Sequence, residues 1–149
     1  MSGRALRLAT ATLARAGAGV ASYLVYARYS GGAIACSSGG CETVQESSYA
    51  LLAGISVAVL GLVMYLVILV LSFVRGEAAH AALLAVALAG VAFAGYLLWA
   101  QAGPIGAFCD WCLASDAIIT SIAVLTLVRM LPVRFKLWTS SSSTQAPPA

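Results

Sequence analysis

Charge is what this sequence has least of. Only 9% of its 149 residues are Asp, Glu, Lys or Arg, while 62% are hydrophobic. A water-soluble chain typically carries about 25% charged residues, so too few polar groups remain here to cover a globule in water, and a soluble enzyme is excluded. The 8 Lys and Arg residues are scattered, with no run able to neutralise successive phosphates, which leaves nucleic-acid binding without an electrostatic footprint. No alternating barrel strand, internal repeat, haem motif or dinucleotide motif is evident either. What remains is a membrane protein of about one domain's length.

A helix needs about 20 mostly apolar residues to cross ~30 Å of hydrocarbon. Four segments meet that requirement, at about 13–29, 49–74, 79–100 and 109–131. The second carries no charge, and the third has only His80 at its start. The fourth holds Asp110 and Asp116 near its beginning and Arg129 near its end. Arg15 lies at the near interface of the first, where its long stem snorkels, and it splits the short apolar core that a cleaved signal peptide needs.

With four spans both termini share one side. That side collects Arg4, Arg7, Arg15, Arg75, Arg129, Arg134 and Lys136, against only Arg28 on the other. The positive-inside rule then places both termini and the Arg75 to Glu77 turn in the cytoplasm, and all four cysteines at the outer face. The expected architecture is an all-α membrane protein: a four-transmembrane-helix bundle over residues 1–138, with an extracytoplasmic loop between helices 1 and 2 and a disordered Ser/Pro-rich tail at 139–149. Gly54, Gly61, Gly90 and Gly95 read as sites of close helix packing, and Gly103-Pro104-Ile105-Gly106 as a break before the last span.

The cysteines form two close pairs. The outer loop reads Cys36-Ser-Ser-Gly-Gly-Cys41, and the last span opens with Cys109-Asp-Trp-Cys112. Three-residue spacing on a helix puts Cys109 and Cys112 on one face, so a bridge at the first turn is feasible, while the Gly-rich loop gives its pair freedom to bend. Free N–H groups at the helix start favour a Cys109 thiolate, and Asp110 and Asp116 oppose it. Bridges at 36–41, 109–112 and 41–109 all remain open. Inert staples are one reading, although such short loops constrain little chain entropy. A four-thiolate zinc site is another, although an oxidising exterior disfavours it.

The loop pair, the stretch Cys41-Glu-Thr-Val-Gln-Glu-Ser47-Ser48-Tyr49-Ala50, the stretch Gly54-Ile-Ser-Val-Ala-Val-Leu-Gly61 and the closing Cys109-Asp-Trp-Cys112 together resemble the bacterial homologues of vitamin K epoxide reductase, over about residues 9–135. The order of the pairs separates this family from the DsbB type, in which the C-x-x-C motif comes first. The resemblance implies a membrane thiol oxidoreductase of the bacterial inner membrane that reoxidises an extracytoplasmic, DsbA-like thioredoxin-fold protein and delivers electrons to a quinone of ubiquinone, menaquinone or vitamin K type. It implies that Cys36 meets the partner, that Cys41 links transiently to Cys109, that Cys112 sits beside the quinone, and that Ser47 supports the site. Ser56 stands where the family usually has Pro, and Asp116 where some animal members have Tyr. Many bacterial members carry a fused thioredoxin-like domain; the partner here is expected to be a separate protein.

The residues alone suggest the same chemistry. A chain of thiol–disulfide exchanges needs one pair able to reach a protein and one fixed beside an acceptor, and a lipid-soluble quinone suits a site between helices. Phe108, Trp111 and Tyr49 are candidates to flank its ring, or else belt anchors at the interface. Asp116 is a candidate proton relay, or else a hydrogen-bonded interfacial group. The rival readings are quinone or vitamin K epoxide reduction as the main activity, and a structural membrane protein with static disulfides.

Overall fold

The computed structural model describes the backbone of residues 3–143 and the side chains of residues 3–131. A long helix, α1 (Gly3–Ser30), is followed by a docked loop and a short helix, α2 (Cys41–Glu46). A 3-10 turn (Ser48–Ala50) and a two-stranded hairpin, β1 (Leu51–Leu52) and β2 (Ile55–Ser56), lead into α3 (Val57–Phe73). Then come α4 (Glu77–Ala100), a π turn (Gln101–Ile105) and α5 (Asp110–Ser143). The helix of α5 thus runs into the expected tail, of which residues 144–149 lie outside the described residues.

Among the described residues, three helical stretches are long and apolar enough to cross a membrane: Gly3–Ser30, Glu77–Ile105 and Asp110–Leu131. The first begins ten residues ahead of the expected position, at Gly3 rather than at 13. The remaining segment is a correction to the sequence reading. Residues 49–56 are not helical: Tyr49 lies in the 3-10 turn, and Leu51 and Leu52 pair antiparallel with Ser56 and Ile55. Ala53 and Gly54 turn the hairpin with φ of 51° and 83°, the doubly left-handed geometry of a tight two-residue loop. Hydropathy cannot separate such a hairpin from a helix when every side chain is apolar. It leaves α3 with 17 residues, about 25 Å at ~1.5 Å per residue.

Small residues set the packing. Along α1, Leu6, Thr10, Ala14, Gly17, Ala21 and Leu24 are buried at three- and four-residue intervals, a single helical stripe. α1 packs on α3 and α5, and α4 packs on α5 and α3. At Gly17 a Cβ would sit 2.3 Å from the Tyr65 ring, and at Gly90 it would sit 2.7 Å from Ile119 and 2.8 Å from Met64. Of the four glycines expected at close contacts only Gly90 is at one; Gly54 serves the hairpin turn, and Gly61 and Gly95 face open space. Tyr65 is fully buried and its hydroxyl donates to the Ser115 carbonyl at 2.9 Å, fixing α3 against α5. Outward-facing Val63, Val70, Leu88, Trp99, Val124 and Val128 remain exposed, an apolar exterior that suits lipid rather than water.

The bases gather at one end. Arg7 donates to the carbonyls of Ser72 and Phe73, both at 3.1 Å, capping the last turn of α3 with a cation where the helix dipole is negative. Arg7, His80 and Arg129 border one small crevice at that end. Gly76, at φ 132°, turns the chain there from α3 into α4.

Candidate functional site

All four cysteines come together at the opposite end. Cys36 and Cys41 are bridged, with Cα atoms 5.9 Å apart, while Cys109 and Cys112 are free thiols. Cys41 and Cys109, each fully buried, belong with Val44 to one cluster, against which Cys36, Cys112, Ile105 and Trp111 pack. The bonded sulfurs of Cys36 and Cys41 and an Asp110 carboxylate oxygen lie within 4.8 Å of one another.

The loop is docked by the two residues between the helix cysteines. One Asp110 carboxylate oxygen accepts the backbone N–H groups of Ser37 at 2.7 Å and Ser38 at 3.0 Å, and lies 3.6 Å from the Cys36 sulfur. The Trp111 indole N–H donates to the Ala35 carbonyl at 2.7 Å, and the Ser38 hydroxyl to the Phe108 carbonyl at 2.7 Å. Gly40 is required: a Cβ there would lie 2.4 Å from the Phe108 oxygen. The Gly-rich spacing serves both ends: Gly39, at φ 72°, lets the loop bend, and Gly40 lets it approach Phe108.

Cys109 stands one residue ahead of α5 rather than on its first turn. Its carbonyl accepts the N–H of Leu113 at 3.0 Å, and its sulfur accepts the N–H of Cys112 at 3.3 Å, the positions of an N-cap residue. The Cys109 thiol is held below its ordinary value, first by hydrogen bonding from the Cys112 side chain, then by the N–H groups of Cys112 and Trp111; burial and the Asp110 charge oppose the shift. A thiol in that setting is readily ionised, as nucleophilic attack and departure from a disulfide both require.

Behind the cysteines lies a cavity of about 360 Å³ between α1, α3, α4 and α5, within the usual range of ligand sites. Its wall is mostly apolar and includes Leu24, Met64, Val86, Phe93 and Ile119, together with Cys112, Ser47, Tyr49 and Asp116. Three buried polar atoms of residues on that wall have no hydrogen-bond partner among the described residues: Gln45 Nε2, Gln101 Nε2 and one Asp116 oxygen. An apolar slot with a few unmet polar groups fits a flat, lipid-soluble ring bearing carbonyl oxygens. Tyr49, its ring 6.5 Å from that of Tyr96, borders the slot. Phe108 and Trp111 do not: Phe108 faces outward, and Trp111 packs on Tyr23 with ring centroids 4.9 Å apart while it holds the loop. Ser47 ends α2, its hydroxyl donating to the Val44 carbonyl at 2.7 Å, and is not the N-cap of a membrane span.

Gln45 and Gln101 escape a sequence reading because a single glutamine, whether in a polar loop or in an apolar run, carries no spacing signal. The one available cue is that Gln101 is the only strongly polar side chain between His80 and Asp110.

Two close cysteine pairs beside a cavity at one end of an apolar helix bundle describe a membrane thiol-redox protein. The chain belongs to the Vitamin K epoxide reductase family, whose model matches residues 8–127. No curated protein matches it. Membership makes it a redox enzyme of the membrane.

Proposed function

We propose that the protein is a quinone-linked thiol oxidoreductase that reoxidises a separate thioredoxin-fold protein on the outer side of a bacterial inner membrane. The observation that carries this reading is the continuity of the site: the partly exposed loop disulfide, the buried Cys109 and the cavity-lining Cys112 adjoin one another in that order. All four long helices cross the bilayer in this reading, with the basic end cytoplasmic and the sulfur end outside.

A dithiol partner attacks Cys36, the more accessible sulfur, and Cys41 leaves as thiolate. A second exchange releases the oxidised partner and leaves Cys36 and Cys41 reduced. The Cys41 thiolate then attacks Cys109 in a Cys109–Cys112 bridge, Cys112 leaves, and Cys36 resolves the mixed disulfide. The result is a closed loop bridge beside two helix thiols, the arrangement found here. A bound quinone supplies the acceptor for the two electrons and two protons released when Cys109 and Cys112 close their bridge again. Ser47, Tyr49 and Asp116 would border it, and Asp116 is placed to hold or pass a proton near Cys112. Free helix thiols count against a pair of inert staples.

The test is turnover of purified protein with a reduced thioredoxin-fold partner and a ubiquinone or menaquinone analogue. Quinone reduction should fall to background in Cys112→Ala, and Cys36→Ala should lose partner oxidation. Undiminished quinone reduction in Cys112→Ala defeats the proposal.

A further inference from the structure

We infer that Gln101 is a ligand-binding residue: its side-chain amide donates a hydrogen bond to a carbonyl oxygen of the molecule in the main cavity while its other end holds Cys109. This rests on the quinone reading above and specifies how the ring is oriented.

Gln101 is 1% exposed and opens the π turn that follows α4. The Oε1 atom accepts the backbone N–H of Cys109 at 2.8 Å. A backbone N–H only donates, so this contact fixes which end of the amide is oxygen and leaves two N–H donors on Nε2. Those donors are buried and meet no acceptor among the described residues. Buried donors in folded proteins are nearly always satisfied, and leaving one unmade is costly.

The cavity that Gln101 borders also holds Cys112 and Asp116 and is otherwise largely apolar. A ring carbonyl is an acceptor with no donor of its own, the complement of the free amide. The same side chain touches the backbone of one redox cysteine, so ring position and the C-x-x-C helix start are tied through one rigid group. Gln45, 7% exposed and with its Nε2 likewise unpartnered among the described residues, offers a second donor to the same space, so loss of Gln101 weakens binding without abolishing it.

The test compares two probes in the fully oxidised full-length protein, so that no electrons move: duroquinone, whose ring is fully substituted against thiol addition, and durene, the same methylated ring without carbonyls. In Gln101→Met, duroquinone affinity should fall about threefold to tenfold, the worth of one neutral hydrogen bond, while durene affinity is unchanged. The infrared carbonyl band of bound duroquinone should shift up. An equal loss for both probes means that Gln101 only shapes the cavity, and no loss for either means that its amide is satisfied elsewhere; each overturns the inference. Wild-type protein that fails to bind duroquinone overturns the quinone reading itself.

Discussion

Cys109 caps a helix with its sulfur, and that one contact links local structure to reactivity. An N-cap acceptor is stronger when negative, so the capping N–H of Cys112 and the side chain of Cys112 both stabilise a thiolate there. The sign follows directly: a thiol whose value lies below the usual ~8.5 is deprotonated at lower pH than a free cysteine. Titration of the thiolate ultraviolet band in protein reduced at the helix pair should show a group ionising below that value. The band should vanish in Cys109→Ser and move to higher pH in Cys112→Ala. A midpoint at the free-cysteine value would exclude the capping role. At this scale the cysteines were legible because spacing encodes geometry, whereas the polar lining was not. Phe108 and Trp111 carried the right composition for ring contacts, yet their side chains point to the surface and to the loop.

Among the elements, α1 and α3 approach closely at Gly17. Tyr65 cannot give way, since its ring is fully buried and its hydroxyl is bonded to Ser115. Gly17→Ala should therefore destabilise the bundle by about 1–3 kcal/mol, against the ~1 kcal/mol that alanine normally contributes within a helix. Gly19→Ala, two residues on and facing open space, should be neutral or stabilising. The thermal unfolding midpoint of Gly17→Ala should fall while that of Gly19→Ala holds or rises; a comparable fall in both would contradict the packing described. The three long apolar helices were legible from hydropathy, whereas the short polar α2 was not. The hairpin at 51–56 was not, because a two-residue turn built on Ala53 and Gly54 lacks the Asn-Gly or Asp-Gly signal and is surrounded by the same apolar residues as a span.

For the whole molecule, polarity from end to end is the organising feature. Arg7, His80 and Arg129 mark one end, and the loop disulfide with Cys109 marks the other. After mild reduction of intact cells, a membrane-impermeant thiol reagent should label Cys36, while a cysteine introduced at Glu77 should react only once the membrane is permeabilised. The reverse pattern would invert the proposed orientation. This polarity was legible from seven bases against one, because charge asymmetry survives errors in helix ends. The register of the loop against the last helix was not, since it depends on contacts between residues more than 70 positions apart.

That register has a consequence for engineering. Dipeptides between paired redox cysteines are often treated as interchangeable cassettes for retuning a potential. Here Asp110 and Trp111 are also the fasteners that seat the loop, so transplanting another oxidoreductase's dipeptide would undock the loop from the last helix along with any change in voltage.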